Sequence, residues 1–320
     1  FSTIEKKEKL LFDAFDQNAD NGRIVKYISP YLDDKYTIVV RSQNKPVSDR
    51  QLMVYGNIPR DGGFYTFTEE EKDTFLQEEP DAAKFMYRFL GSKEYINNTQ
   101  RWILFLKDAE PQELKNLPKV MERIQAVKEF RLSSKAKEIH KFAETPTLFA
   151  QQTQPVGEPF VIVPIVSSSR RRYVPMGYVD GNTIVNNRVF LIPNADLYMF
   201  GILNSNVHNA WMRKVAVRLK DDYSYSKDLV YNTFPLPELT EERKKNIAQT
   251  AKSILDARAL YPNSSLADLY DPLTMPPELL KAHNANNRTV MAAYGFSIKM
   301  TEADCVAELM RMYQILTEEK

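Results

Sequence analysis

The chain has 320 residues, 43% of them hydrophobic, and its 43 lysines and arginines almost balance 42 aspartates and glutamates. That length allows two domains, or one domain with a helical appendage, and the near-zero balance excludes a bulk electrostatic attraction for nucleic acid. A single cysteine, Cys305, excludes an internal disulfide framework and a cysteine-based zinc site, and His140, His208 and His283 show no ligand spacing, so no metal is expected.

Residues 1–34 open with a charged stretch, Ile4 to Phe15, that reads as helical, and continue through the connector-like segment Asn18 to Gly22. This opening, and a start at Phe1 without an initiator methionine, point to a piece of a longer protein. From Tyr36 to Leu106 strand and turn signals alternate: Tyr36 to Val40 is β-branched, Asp61-Gly62-Gly63 is a turn, and Arg101 to Leu106 reads as a buried strand. Between them Thr68, with Glu71 three residues on, forms a capping box, and Pro80 begins a second short helix through Met86. Acidic residues crowd this third of the chain.

Residues 110–145 read as helical with a break near Pro118 and with Val120, Ile124, Val127 and Phe130 at helical spacing. From Pro159 the period returns to two. Phe160 to Val163, Tyr173 to Tyr178 and Val189 to Ile192 read as a meander of short strands, with Asp180-Gly181-Asn182 as a hairpin turn. One helix is expected from Asp196 to Val217, with Phe200, Leu203, Val207, Trp211 and Val215 as its apolar stripe. Phe234-Pro235-Leu236-Pro237 opposes both helix and central strand and marks a boundary. Beyond it the chain reads as helical, with N-caps at Thr240 and Thr301. Apolar runs such as Phe160 to Val166 fall well short of the roughly 20 residues that span a bilayer. The first residues are not signal-like, so the expected location is cytoplasmic.

Catalytic patterns are missing from the sequence. A methyltransferase needs a glycine-rich loop after a first strand and, for amino methylation, an Asn/Asp-Pro-Pro-aromatic tetrapeptide; Met275-Pro276-Pro277-Glu278 has neither the amide nor the aromatic residue. Asp228, Glu242 and Lys244 approximate a Mg²⁺-nuclease spacing, but Pro235 and Pro237 intervene. No Gly-x-Ser-x-Gly elbow is present, and His208 stands alone on a helix, where a hydrogen-bonded core histidine is the commoner role.

Binding signals are richer, because arginine concentrates between Ser167 and Lys220. Ser167-Ser168-Ser169-Arg170-Arg171-Arg172 puts hydroxyls and guanidinium groups, donors to phosphate oxygens and guanine edges, in a loop between strands. Asn182 to Arg188 adds amides suited to adenine, and Arg213 to Ser226 runs from a basic helix end into a polar, aromatic loop. Each has an ordinary alternative: a solvated loop, turn chemistry, a charged surface. Three within sixty residues, all at loops or element ends, favour DNA.

The runs Ser167 to Tyr178, Phe200 to Ser205, Trp211 to Arg213, Arg218 to Ser226 and Tyr231-Asn232-Thr233-Phe234-Pro235, in that order, resemble the target-recognition domain of MmeI-like (Type IIL) restriction–modification enzymes. Upstream the resemblance takes in Ile28 to Leu32, Gly56 to Gly63 and Phe89 to Asn97. Downstream, Asp268 to Asp271 and Ala292 to Phe296 are similar to the family's helical C-terminal part. These enzymes join endonuclease, adenine-N6 methyltransferase and recognition regions in one polypeptide.

The resemblance implies that the catalytic motifs lie upstream, outside this chain. It implies an α+β fold, a short-stranded mixed β target-recognition domain with inserted helices, followed by a helical bundle-like segment. The expected division is 1–34 as connector from a methyltransferase domain, 35–235 as recognition domain and 236–320 as helical C-terminal domain. The candidate base readers are Ser167, Ser169, Arg170, Arg172, Asn182, Asn186, Asn187, Asp222 and Ser224. The candidate backbone contacts are Arg171, Arg188, Arg213, Lys214, Arg218 and Lys220. Many relatives carry a charged pair around the last reader, and Ser224 departs from the basic residue there. The expected partners are double-stranded DNA and a covalently linked methyltransferase domain, with no membrane. No cofactor is expected in this chain, while S-adenosylmethionine and Mg²⁺ belong to the parent, in the bacterial cytoplasm at the nucleoid. A protein-interaction module and an enzyme with an unrecognised site are the alternatives from other classes.

Overall fold

The computed structural model describes residues 9–12, 22–25, 28 and 38–318. Within the stretch expected to be helical from Ile4 to Phe15, the described residues correct that reading: β1 (Lys9–Leu11) pairs antiparallel with β2 (Arg23–Val25). The rest of that stretch and most of the Asn18 to Gly22 connector lie outside the described residues. So do Tyr36 and Thr37, while residues 38–40 form no strand.

The next part supplies one strand to a later sheet and three strands to a sheet with helices on its flank. It comprises β3 (Val54–Tyr55), β4 (Thr66–Phe67), α1 (Glu69–Glu78), β5 (Met86–Leu90), α2 (Ser92–Asn97), β6 (Trp102–Leu104), α3 (Pro111–Lys115) and α4 (Pro118–Leu132). The capping box forms as expected: Glu71 N–H donates to Thr68 Oγ1 at 3.2 Å, and Thr68 N–H donates to the Glu71 carboxylate at 2.8 Å. Pro80 to Phe85 is a 3₁₀ turn, and Met86 already belongs to β5. On α4 the inward face is Val120, Ile124, Val127 and Arg131, so the fourth position of the stripe is a buried arginine, and Phe130 is 37% exposed.

Then follow β7 (Phe160–Pro164), β8 (Val166–Ser167), β9 (Gly177–Val179), β10 (Thr183–Val185), β11 (Val189–Pro193), α5 (Leu197–Leu203), α6 (Asn206–Val215), β12 (Val217–Leu219) and β13 (Asp222–Ser224). The expected meander is corrected. One sheet has the order β3-β11-β7-β9, whereas β10 leaves it to pair in parallel with β5 in the sheet β10-β5-β6-β4. Asp180 to Asn182 therefore redirects the chain between sheets and closes no hairpin. Only the end of the Tyr173 to Tyr178 segment is extended in a sheet, because residues 173–176, with Pro175 among them, make no ladder. The single helix expected from Asp196 breaks at Asn204 and Ser205, and each half is capped from its N-terminus, by Asp196 and by Ser205.

The C-terminal part is helical: α7 (Glu241–Ala259), capped by Thr240, then α8 (Leu266–Leu269), α9 (Pro277–Ala293) and α10 (Glu302–Glu318). The principal core does not stop at Pro237. One cluster joins Val161, Phe190 and Trp211 to Ile247, Val290 and Tyr313, while a separate one gathers Phe67, Phe89, Ile103 and Val127. The last helices are thus packed into the same apolar interior as the strands that carry the arginine loop. No helix among the described residues is long and apolar enough to cross a membrane.

Candidate nucleic-acid interface

Three strands bring two of the candidate stretches together. β13 pairs antiparallel with both β12 and β8, in the order β12-β13-β8. The registers set Ser167 opposite Tyr223 opposite Arg218, and Val166 opposite Ser224 opposite Val217. Because side chains alternate between faces and direct partners share one, Ser167, Tyr223 and Arg218 take one face. Val166, Val217, Leu219, Asp222 and Ser224 take the other. The Tyr223 face is the inner one, and Tyr223 and Ser167 are 7% and 4% exposed. Val217 and Leu219, at 58% each, mark the outer face.

This alternation sorts the candidates. Asp222 and Ser224, half-buried, lie on the outer face beside the apolar pair. Ser167 does not: it lies on the inner face, and its Oγ is buried with no hydrogen-bond partner. Arg218 is exposed at the sheet edge, stacked over the Tyr223 ring at 3.9 Å and donating to the Asp221 carbonyl oxygen at 3.0 Å. Lys220 occupies the tight turn with φ of 56° and is exposed.

The loop after β8 adjoins this sheet. Ser169 N–H donates to Asp222 Oδ1 at 3.3 Å, which ties the loop entry to the hairpin. Arg170 and Arg172 are exposed; Arg171 is half-buried, and burial lowers its pKa against the raising influence of Asp222 and Asp271. Ser169 to Arg172, with Arg213 and Glu302, line a recess of about 350 Å³. Arg213 is engaged within the fold. Its Nε and Nη2 bind the two carboxylate oxygens of Glu302 at 2.8 and 2.7 Å, and Nη1 donates to the Arg172 carbonyl oxygen at 3.0 Å. These bonds tie the loop exit to α10. Lys214 beside Arg213 is half-buried.

The asparagines separate. Asn182 is exposed beyond one end of β10, in a turn where its N–H donates to Asp180 Oδ1 at 3.1 Å. Asn186 follows the other end, about 13 Å away at the rise of an extended chain. There it is a structural node: a Cβ on Gly91 would come within 2.6 Å of its Nδ2, and one on Gly56 within 2.1 Å of its carbonyl oxygen. Its Oδ1 accepts from the Arg188 N–H at 2.9 Å. Asn187 and Arg188 remain exposed. A recess of about 420 Å³ is lined by Asn186, Arg188, Val166, Lys93 and Arg101, so the turn after β10 faces the start of β8. Lys93 is exposed there and was absent from the sequence candidates; only its place in the Phe89 to Asn97 run could have flagged it.

His208 is no part of this surface. It is fully buried, with Nε2 2.9 Å from the Tyr225 hydroxyl and its ring edge-on to Phe234. No cluster of three or more metal-ligating side chains occurs among the described residues.

Comparison with known proteins gives consistent matches. The family model for the target recognition domain of MmeI matches residues 34–238, and that for the MmeI C-terminal domain matches residues 239–319. The chain is similar to DNA methyltransferase A of Bacillus subtilis (strain 168), 39% identical over 299 residues, covering 93% of this chain and 34% of that protein. It is also similar to the solved Type IIL restriction-modification enzyme MmeI in complex with DNA. There the TM-score is 0.90 and the identity 42%, over 98% of this chain and 42% of that one. The chain thus spans about a third of the length of the curated relative.

Proposed function

The chain belongs to the MmeI family, matching its target-recognition and C-terminal domains, and on that premise we propose that it is a double-stranded-DNA recognition region. In this reading it serves a restriction–modification enzyme that methylates adenine at N6 and cleaves DNA, and presents the target base to a catalytic domain outside this chain. The observation that supports it is the meeting of the arginine loop 168–172 with the outer face of the β12-β13-β8 sheet.

The chemistry of that surface suits a major groove. Arg170 and Arg172 supply planar donor pairs for guanine O6 and N7, Asp222 accepts from cytosine N4, and Ser224 donates or accepts. Val217 and Leu219 offer apolar contact to thymine methyl groups on the same face. Ser169, Asn186 and Asn187 border this surface as further candidates. Arg171, Arg188, Lys214, Arg218 and Lys220 surround it with charge for phosphates, which position the protein without reading sequence. Asn182 stands apart as a contact to a more distant part of the duplex.

S-adenosylmethionine and Mg²⁺ are assigned to the parent's other domains. Residues 275–278 do not fit a base-gripping tetrapeptide, because Pro277 starts α9 and the Glu278 carboxylate accepts from the Tyr261 hydroxyl at 2.9 Å. Residues 1–34 would link this chain to the methyltransferase domain, 35–235 would read the DNA, and 236–320 would pack behind it, in the bacterial cytoplasm.

The test is an exchange of Asp222 and Ser224 in the intact enzyme, with methylated positions mapped across the source genome. A changed base at one position of the recognition sequence is the expected result. An unaltered methylation sequence for every exchange removes these residues from base readout.

A further inference from the structure

We propose that the C-terminal helices α9 and α10 hold the recognition loop 168–173 in its reading conformation, so that base choice depends on Asn287 and Glu302, residues set behind the loop. The inference rests on the DNA-reading role proposed above and adds to it a positioning device within the C-terminal helices.

The loop re-enters the core at Tyr173, which is 1% exposed. Its ring is stacked on His283 of α9, with centroids 4.1 Å apart and planes at 17°, and its hydroxyl accepts from Asn287 Nδ2 at 2.7 Å. His283 is itself fixed, with Nε2 2.7 Å from the Tyr270 hydroxyl. Arg258 of α7 donates to that same hydroxyl and, at 2.7 Å, to the Met176 carbonyl oxygen, three residues past Tyr173. One residue before Tyr173, the Arg172 carbonyl oxygen accepts from Arg213, whose fork is held on both carboxylate oxygens of Glu302 in the first turn of α10. Asn287 Oδ1 also accepts from the Asn206 N–H at 2.8 Å, locking the first turn of α6 beside the loop.

The exit of the loop is therefore fixed at Arg172, Tyr173 and Met176 by groups that trace back to α7, α9 and α10. Its entry is fixed at Ser169 by Asp222. Asn287 is 5% exposed, so removing its bonds to Tyr173 and Asn206 leaves buried polar groups unsatisfied, which penalises alternative loop positions. Bidentate readout by Arg170 and Arg172 tolerates only small displacements, about 0.5 Å. A loosened exit strand would blur it while leaving the charges in place for phosphate attraction.

The experiment uses the full chain carrying Asn287→Ala or Glu302→Ala, with two readouts. The first is the rate of tryptic cleavage after Arg170, Arg171 and Arg172 without DNA, against cleavage at other sites in the same digest. The second is base preference in selection from a randomised duplex library. We expect cleavage within the loop to rise about tenfold, with cleavage elsewhere unchanged, as for a local opening, and preference to flatten at one or more positions while total DNA retention falls less than threefold. The Glu302 side chain is 53% exposed, so Glu302→Ala decides the matter if Asn287→Ala unfolds the chain. Unchanged loop cleavage in Glu302→Ala overturns the positioning role. Faster cleavage with an unaltered preference, in a chain whose parent form selects sequence, overturns its link to base choice. A parent form that selects no sequence although the variants loosen the loop overturns the DNA-reading role instead, and base-choice dependence with it.

Discussion

The carbonyl oxygen of Phe234 accepts a hydrogen bond from Nη2 of Arg50 at 2.6 Å, and the carbonyl oxygen of Tyr231 accepts from the same nitrogen at 2.6 Å. The guanidinium lies over the Tyr231 ring at 4.7 Å. Burial lowers its pKa, and the neighbours that act against this are Tyr231, Tyr294, Tyr225 and Tyr198. Around it the Tyr231-Asn232-Thr233-Phe234-Pro235 run binds the 43–51 segment. Tyr231 donates to the Gln51 carbonyl oxygen, Asn232 Nδ2 to that of Gln43, and Val47 N–H to that of Asn232. This run of the family resemblance is thus a clasp between distant segments, and its polar atoms are consumed in the fold.

Arg50→Ala should therefore destabilise the chain by about 2–4 kcal/mol, because it takes the guanidinium donor from the Tyr231 and Phe234 carbonyl oxygens, leaving the former only the Phe234 N–H, and opens a cavity between the rings. Urea unfolding of the full chain measures this. A loss below about 1 kcal/mol would place the clasp's strength in the backbone bonds alone.

Arg131, with 0% exposure, donates to the carbonyl oxygens of Pro59, Arg60, Phe142, Thr145 and Leu148. A lysine ammonium carries three donors on one atom and cannot span this set. Arg131→Lys should cost about 2–4 kcal/mol on that ground. Denaturation midpoints at constant m-value check it, and a midpoint equal to that of the parent form refutes the account.

Arg218→Ala should weaken binding of duplex DNA and lower the slope of log K against log salt by roughly 1, one phosphate's worth of counterion release, whereas Arg172→Ala, a base reader, should relax the choice of base at one position at a cost of about 1–3 kcal/mol. Arg213→Ala should act differently, since its charge is already neutralised by Glu302: stability falls, and the salt slope stays. Titrations of the intact enzyme between low and moderate salt separate the cases. A slope for Arg218→Ala equal to that of the parent form would remove it from the phosphate contacts, and an unaltered base preference for Arg172→Ala would remove that residue from readout.

Burial, reinforced by Arg50, holds the His208 pKa down to about 3 from an ordinary 6.5, and burial with Arg258 keeps His283 well below its usual range. Both are neutral in the fold and take up protons once it opens. Their contribution is complete above the unfolded pKa of 6.5 and is lost as pH falls below it, since the unfolded chain then binds protons that the folded chain refuses. Between pH 6 and 5 the loss should approach about 1.4 kcal/mol per pH unit for each histidine. Unfolding free energies of the parent form and His208→Gln at pH 7 and 5 test this: the variant should lose less on acidification.

Local chemistry was legible in the sequence. Thr68 with Glu71, Thr240 and Thr301 announced their helices because a cap needs only its own turn, and Val120, Ile124 and Val127 showed their face through a 3.6-residue period. The ordered motifs gave the family, and the clustering of arginine pointed to the surface proposed for DNA. Tertiary structure alone decided which members of that cluster face outward. Period two says that Ser167 and Val166 point to opposite sides, but only pairing with β13 says that Ser167 is the inner one. Asn182 and Asn186 share one short segment, yet β10 pairs with β5 far upstream and separates their surroundings. Arg213 reads as one more surface cation until the fold sets it against Glu302, 89 residues later. Ionic partners and strand neighbours at such separations are fixed by packing of the whole core, which no local pattern encodes.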